Sequence, residues 1–304
     1  MSFIHVFLSE FSDFRMRNNR TEVLLEALPY FQEFRGRTVV IKYGGAAMES
    51  PELVEGVLRD VVFLEAVGIN PVVVHGGGKA ITAEMRKEKL VAKFVDGLRV
   101  TDEASIRIIE RVLTETISPG LVEKIKSFGG RAEALSGKAV LVAKKAAPYR
   151  DATGVTTDMG LIGDVTLVEI ARIQKLIDSE TVPVISPLGL GADQQVYNVN
   201  ADIAAAKVAQ ALKAHKLIYL SDVNGVRRDP KDENSLISTL TPAQIEQLKD
   251  EGVIAGGMVP KVNSALEALA GGVGKVHFLD GRQAHSLLLE LFTEAGIGTQ
   301  ISSK

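Results

Sequence analysis

Val39-Val40-Ile41-Lys42-Tyr43-Gly44-Gly45 decides the fold class. Three β-favouring apolar residues in succession have the length and composition of a short buried strand. A lysine stands near its end, two glycines follow, and a helical pattern opens at Pro51. Glycines at a strand-to-helix turn let backbone N–H groups approach an anion, and the following helix N-terminus adds a favourable dipole. Lys42 adds a full charge. The stretch reads as a candidate phosphoryl site, although a plain strand, Gly-Gly turn and surface lysine fit it as well.

A second strand, Asn70–His75, runs into Gly76-Gly77-Gly78-Lys79 and a helix over Ala80–Glu88. Two glycine turns after successive strands place both at the carboxyl ends of a parallel sheet, where open α/β sheets bind ligands. Neither follows a common scheme. A dinucleotide fingerprint from Gly76 needs glycine or alanine where Ile81 stands, and a Walker loop needs Ser or Thr where Ala80 follows Lys79.

The 304 residues suit one large α/β domain or two lobes, and 46% hydrophobic against 24% charged residues is the balance of a globular chain with ample core. A net charge of −3 argues against a general nucleic-acid or anionic-membrane surface. With no cysteine, disulfides, thiolate metal sites and cysteine nucleophiles are excluded, and a reducing cytoplasm is the expected location. No stretch reaches the roughly 18 uninterrupted apolar residues of a membrane helix. Phe3–Leu8 lacks the flanks of a signal peptide, and Met16 is an alternative start.

Ahead of the first strand, Val23, Leu24, Ala27, Leu28 and Phe31 form a helical stripe, with a kink or junction expected near Leu28 because of Pro29. This helix either packs on the fold or serves as an oligomerisation arm. Further on, Pro51–Val67 is a helix and Thr101 is a candidate cap for another over Glu103–Leu113. Arg99 suits either bidentate carboxylate binding or a structural salt bridge. A helix over Ile117–Phe128, a strand at Ala139–Ala143, hairpin material over Pro148–Gly163 and a buried strand from Pro183 follow. Asn198, Asn200 and Asp202 alternate, so an extended segment points them to one side; Asp202 is equally placed as the N-cap of the helix Ile203–Leu212. Later segments read as a strand at Leu217–Leu220, a capped helix from Thr241-Pro242, a glycine-rich approach Gly256–Lys261 into the helix Val262–Ala270, a strand at Lys275–Leu279, a helix at Ala284–Phe292 and a short last strand over Gly298–Ser302.

Taken in order, Ile41-Lys42-Tyr43-Gly44-Gly45, His75-Gly76-Gly77-Gly78, Gly97-Leu98-Arg99-Val100-Thr101, Tyr197-Asn198-Val199-Asn200-Ala201-Asp202 and Gly257-Met258-Val259-Pro260-Lys261 resemble the amino-acid kinase family, and within it the acetylglutamate kinases. The resemblance implies an α/β fold, an open αβα sandwich with a mainly parallel central sheet. It implies an N-terminal helical arm (1–36), an N-terminal lobe for acetylglutamate and dimerisation (37–190), and a C-terminal lobe for ATP and arginine (191–304). The implied reaction is transfer from ATP, with Mg²⁺, to the γ-carboxylate of N-acetyl-L-glutamate in arginine biosynthesis. A carboxylate is already nucleophilic at neutral pH, so no general base is needed, and transfer depends on positioning and charge stabilisation.

By the same resemblance Lys42, Lys261, Asp202 and Gly45 are catalytic, and Gly77, Gly78, Arg99, Asn198 and Asn200 bind acetylglutamate. Asp222, Val223, Asn224, Gly225, Val226 and Arg227, with Val253, Ile254 and Ala255, bind the nucleotide, and no protein residue is assigned to the metal. Tyr30, His277, Glu290 and Gly296 match an arginine site. Relatives inhibited by arginine carry an extra N-terminal helix that interlaces dimers into a hexamer, so feedback inhibition by L-arginine and a trimer of dimers are expected. A PII-type protein partner is left open. Two rivals stand beside this reading: another small-molecule kinase on the same fold, and a non-catalytic amino-acid sensor.

Overall fold

The computed structural model describes residues 21–150, 154–229, 231–294 and 296–303. The segment before residue 21, with Phe3–Leu8 and Met16, lies outside the described residues. A helix, α1, occupies residues 21–34. It is followed by β1 (Thr38–Tyr43), α2 (Pro51–Ala66), β2 (Asn70–His75) and α3 (Gly78–Lys87). A hairpin of β3 (Phe94–Val95) and β4 (Leu98–Arg99) leads to α4 (Glu103–Arg111), a π-helical turn at Val112–Ile117, and α5 (Ser118–Ser127). Next come β5 (Ala132–Ser136), β6 (Leu141–Lys145), β7 (Tyr149–Arg150), β8 (Thr156–Thr157), β9 (Gly163–Val168), α6 (Ile170–Asp178), β10 (Val182–Ser186), β11 (Leu188–Leu190) and β12 (Val196–Asn198). The remaining elements are α7 (Ala201–Ala211), β13 (Lys216–Ser221), β14 (Thr239–Leu240), α8 (Pro242–Asp250), α9 (Met258–Ala270), β15 (Lys275–Asp280), α10 (Ser286–Leu291) and β16 (Thr299–Ser302).

Eight strands form the main sheet in the order β14-β16-β15-β13-β1-β2-β10-β5. Its pairings are parallel except for β15 with β16. A smaller sheet, β12-β11-β6-β9, lies beside it. The chain leaves β1 toward β2 on one side, and β13 leads toward β15 on the other, so the strand order reverses between β1 and β13. Ligand crevices of open α/β sheets form at such a reversal.

The central strands read as near-continuous apolar runs because both faces are covered. Alternate residues serve separate cores. Val40, Val72, Val74, Leu217 and Tyr219 face α7 and α9, with Ala204, Ala205, Val208, Val262 and Ala265 in the same cluster. Val39, Ile41, Tyr43, Val73 and Ile218 face α2 and α5, joined by Leu58, Val61, Leu121 and Ile125. The alanines of α7 keep that helix close to β1. Burying each Val or Ile of β1 stabilises the fold by about 1.5–3 kcal/mol.

Several expected boundaries shift for local reasons. The helix α1 runs through Pro29 without interruption; the carbonyl that loses a donor there belongs to Leu25, whose exposed surface lets water replace it. Thr101 does not cap α4: Asp102 does, accepting from Ser105 N at 2.8 Å, while Thr101 is buried. The helix expected over Glu103–Leu113 passes into the π-turn after Arg111. Helix α9 starts at Met258, so Lys261 belongs to its first turn. The capping box at Thr241 and Gln244 is formed as its sequence predicts. Strand β5 and helix α6 carry weak patterns, an alanine-rich edge strand and only Ile173 and Ile177 buried, and both escape sequence reading.

Candidate active site

Lys42 is the fifth residue of β1, on the face covered by α7 and α9. It is 8% exposed, and its Nζ lies 3.0 Å from Asp202 Oδ1. Lys261, on the first turn of α9, donates from Nζ to Asp202 Oδ2 at 3.2 Å. One carboxylate therefore holds two ammonium groups from different elements. Burial alone would raise the Asp202 carboxyl, but the charges of Lys42 and Lys261 outweigh it and hold it below the ordinary range. Asp202 is available for this because Asn200 caps α7 instead, accepting from Asp202 N at 2.7 Å and Ile203 N at 3.3 Å.

A further strut fixes the same corner. Tyr219, the register partner of Lys42 on β13, is fully buried. Its hydroxyl is 2.6 Å from Ser264 Oγ on α9 and 3.5 Å from Asp202 O on α7. Ser264 in turn donates to Lys261 O at 3.2 Å.

The two glycine turns meet beside these lysines. Gly76 N donates to Tyr43 O at 2.7 Å, and a Cβ on Gly44 would lie 3.4 Å from Lys42 Nζ and 3.5 Å from Gly76. Gly45 has φ +65, the left-handed region, with open space where a side chain would project. Gly77 precedes α3 without a side-chain cap, so the first-turn N–H groups of a ten-residue helix remain as donors for an anion. Lys79, which the sequence places after this turn, is exposed and pairs with Glu49.

Arg99 closes one side. Its Nη2 donates to Gly78 O at 2.9 Å and Thr82 Oγ1 at 2.8 Å, and the guanidinium lies 4.6 Å from the Phe94 ring centre. Burial lowers its pKa. Asn198 donates from Nδ2 to Thr101 Oγ1 at 3.1 Å, and Thr101 donates to Arg99 O at 3.0 Å. The structure thus links Gly78 and Arg99 directly, with Asn198 joined through Thr101, while Asn200 caps α7 through its Oδ1. Thr82 and Thr101 complete this network, and Tyr219 and Ser264 that around Asp202 and Lys261. Thr101 stands in the quoted Gly97–Thr101 motif but reads there as a helix cap, and the other three carry no motif that sequence reading could use.

The segment Asp222–Arg227 follows β13. Gly225 has φ +102, and a Cβ there would meet Thr299 Oγ1 at 2.3 Å. Thr299 Oγ1 accepts from Val226 N at 2.8 Å and donates to Ile237 O at 2.7 Å. Asn224 Oδ1 is buried without a hydrogen-bond partner among the described residues. Val253, Ile254 and Ala255 lie just ahead of α9, and Val226 and Ile254 share one core cluster. No group of three or more His, Asp or Glu side chains gathers as a metal cage among the described residues.

The other predicted cluster lies toward the amino ends of β13 and β15. Glu290 Oε1 is 2.7 Å from His277 Nδ1 and 3.3 Å from Lys216 Nζ, and Glu290 Oε2 accepts from Ile297 N at 3.0 Å. Gly296 is adjacent: a Cβ there would lie 2.7 Å from Glu290 Oε2. Tyr30 packs edge-on against Phe292, 6.4 Å between ring centres, and shows no hydrogen bond to the cluster among the described residues. Lys216 was not foreseen; its signal is a lysine opening an otherwise apolar strand. Phe34 of α1 covers it, 5.1 Å from the ammonium to the ring centre. Burial pushes His277 down against the opposing pull of Glu290, so the ring is neutral at neutral pH. Glu290 is held below its ordinary range: the bond from His277, the Lys216 charge and the Ile297 N–H outweigh burial.

Two lysines bridged by one carboxylate, beside two glycine turns at the strand-order reversal of a parallel sheet, define the class: an α/β phosphotransferase. Residues 37–280 match the model of the amino acid kinase family. The acetylglutamate kinase of Heliobacterium modesticaldum is 49% identical over 284 residues, covering 92% of this chain and 96% of that protein. That of Carboxydothermus hydrogenoformans is 48% identical, covering 93% and 98%. Among solved structures, N-acetylglutamate synthase from Neisseria gonorrhoeae, complexed with coenzyme A and N-acetyl-glutamate, superposes with a TM-score of 0.81 at 29% identity, covering 93% of this chain and 63% of the synthase. The same synthase complexed with coenzyme A and L-arginine gives 0.76 at 28% identity, covering 93% and 65%. Carbamate kinase from Giardia shares the fold, with a TM-score of 0.66 at 18% identity over 88% of this chain and 99% of that one. The chain belongs to the amino acid kinase family, in its acetylglutamate kinase branch.

Proposed function

We propose that the chain transfers the γ-phosphoryl group of ATP to the γ-carboxylate of N-acetyl-L-glutamate, giving N-acetyl-L-glutamyl 5-phosphate and ADP for arginine biosynthesis. The observation that carries this is Asp202 holding Lys42 and Lys261 beside the two glycine turns. A carboxylate oxygen attacks the γ-phosphorus as the bond to the β,γ-bridging oxygen breaks, and the electron pair leaves with ADP. No proton moves. Two anions must approach each other, and Lys42 and Lys261 neutralise the transferring group from different elements. Asp202 orients both ammonium groups and itself stays off the reacting atoms. Backbone N–H groups at Gly45, Gly77 and Gly78 cradle oxygens, Arg99 takes a substrate carboxylate, and Asn198 orients the acyl amino acid. Asp222–Arg227 and Val253–Ala255 receive the nucleotide, the unpaired Asn224 Oδ1 offering an acceptor. Mg²⁺ would come bound to the nucleotide and supply charge neutralisation of its phosphates, with no protein residue assigned to hold it. In this reading residues 37–190 serve the acyl amino acid and 191–304 the nucleotide.

The test is hydroxylamine trapping of the acyl phosphate with MgATP and N-acetylglutamate, glutamate or aspartate. Hydroxamate with N-acetylglutamate alone is expected; turnover restricted to another acceptor favours a sister kinase, and none from folded protein favours a sensor.

The same reading includes feedback inhibition by L-arginine at Glu290, His277, Gly296 and Tyr30. In its support, His277 Nε2 is buried with no hydrogen-bond partner among the described residues, and Glu290 is an anion for a guanidinium or ammonium group. Helix α1 leaves Val23, Leu24 and Leu25 more than half exposed, an apolar face for ring assembly as a hexamer. Deletion through Gln32 should abolish the hexamer in light scattering and weaken inhibition; an unchanged hexamer defeats this part.

A further inference from the structure

His75 is fully buried at the end of β2, directly before the Gly76–Gly78 turn, and the reaction just described gives it no task. Its Nδ1 lies 2.8 Å from Gly76 O and its Nε2 lies 2.7 Å from Ser118 Oγ. A carbonyl oxygen only accepts, so Nδ1 carries the proton. In a neutral ring Nε2 is then the acceptor, and the single hydroxyl proton of Ser118 goes to it. Leu113 O, 2.9 Å from the same hydroxyl, is satisfied by the backbone N–H of Ser118. Burial keeps the ring neutral, with its pKa pushed down to about 4.

The element that presents Ser118 is unusual. Val112–Ile117 is a π-helical turn, a form that is rare and concentrated at functional sites. The same turn packs on the glycine turn at a second point: a Cβ on Gly77 would lie 2.8 Å from both Leu113 Cδ2 and Ile117 Cδ1. The glycine turn is therefore held at two points: Gly76 O by His75, whose other ring nitrogen meets Ser118 just after the π-turn, and Gly77 by apolar contact with Leu113 and Ile117 of the π-turn itself.

We propose that His75, bridging Gly76 O and Ser118, is a positioning residue for the Gly76–Gly78 turn, and that the π-turn places Ser118 to complete that bridge. The imidazole moves no proton in the reaction. It sets where the N–H groups of Gly77 and Gly78 point, so loosening it weakens capture of the acyl amino acid before it touches the nucleotide. This rests on the acetylglutamate reading above.

The experiment measures KM for both substrates, kcat and thermal unfolding in wild type, Ser118→Ala, Ser118→Thr and His75→Gln, with ¹⁵N spectra of the wild-type imidazoles. Hydroxamate formation by wild type first establishes the reading; its failure there sinks the reading, whereas the tautomer spectrum still reports on His75. Ser118→Ala and His75→Gln should raise KM for N-acetylglutamate about ten-fold, with KM for ATP changed less than about two-fold. Ser118→Thr, which keeps the hydroxyl, should restore KM to within about three-fold of wild type. The wild-type spectrum should show a neutral Nδ1–H tautomer for His75 from pH 8 to pH 5.5. Unchanged KM in Ser118→Ala, equal loss in both substrates' constants, or an Nε2–H or doubly protonated ring at neutral pH would each overturn the proposal. If Ser118→Ala does not fold, Ser118→Thr and the spectrum decide between the same outcomes.

Discussion

Two charge clusters sit toward opposite ends of the central strands, and each sets one carboxylate between two nitrogen bases. At the carboxyl ends Asp202 lies between Lys42 and Lys261; toward the amino ends Glu290 lies between Lys216 and His277. The side chains of the first trio are 10–22% exposed and those of the second no more than 7%. The first carries two cations for one anion, so a formal positive charge is left over beside backbone donors. In the second, burial removes the charge of His277, and Lys216 balances Glu290. A surplus charge beside backbone donors suits the phosphoryl group proposed for this site; a balanced pair sealed under Phe34 chiefly holds elements together until something displaces it. Similar residue types thus support different work because burial differs.

The sharpest break of this contrast is substitution of the lysines. Lys42→Ala or Lys261→Ala should lower kcat by about 10²–10³-fold or more, with unfolding behaviour little changed. Lys216→Ala should do the reverse, costing on the order of 3 kcal/mol of stability by leaving Glu290 buried without its cation, while kcat per folded molecule falls far less. Steady-state kinetics and denaturant titration on the three variants check both halves. Equal kinetic damage at Lys216 would erase the distinction.

Much of this was legible in the chain. The Gly44-Gly45 and Gly76–Gly78 turns, the strands before them and the order of motifs pointed to the sheet and to Lys42, Asp202 and Lys261. What escaped depends on distance in space. Tyr219 looks like one more apolar strand residue, and only its register opposite Lys42 puts its hydroxyl between α7 and α9. Lys216 looks like a solvent-facing strand end until α1 and α10 cover it. Asp202 suits an N-cap by type, so the sequence left it between cap and anchor; the turn geometry gives the cap of α7 to Asn200 and releases Asp202 for the lysines. The π-turn leaves no trace in periodicity over so few residues.

The contrast sharpens with pH. His75 and His277 are both pushed down by burial, so an unfolded chain takes up protons near pH 6.5 and the folded chain resists until lower pH, about 4 for His75. The unfolded state binds more protons in that window, and stability falls as pH falls through it. Asp202 and Glu290 behave differently: their carboxyls are held low, so their contribution is complete above the ordinary carboxylate range and is lost only in stronger acid, as pH falls through their depressed values. Unfolding free energy should therefore decline in two stages. His75→Gln should flatten the first stage by up to on the order of 3 kcal/mol across the window. A first stage unaltered in that variant would show that His75 does not supply it.

The smallest expected effect tests how rigidly the open cluster is held. Tyr219→Phe keeps the ring stacked on Phe278, 5.1 Å between centres and 19° between planes, and removes only the hydroxyl that meets Ser264 and Asp202 O. Losing one buried hydrogen bond costs about 1 kcal/mol. If the hydroxyl merely satisfies Ser264, stability drops by that amount and kcat does not move. If it fixes the first turn of α9 over α7, Lys261 loses its aim at the transferring group, and kcat falls about three- to ten-fold while KM for N-acetylglutamate stays put. The second outcome is expected because Ser264 also bonds to Lys261 O, tying the lysine's own backbone to the tyrosine. Ser264→Ala combined with Tyr219→Phe should then be no worse than either alone, since both cut one chain of bonds; additive losses would mean the two side chains hold different things, and the corner around Asp202 would owe its geometry to the ion pairs alone.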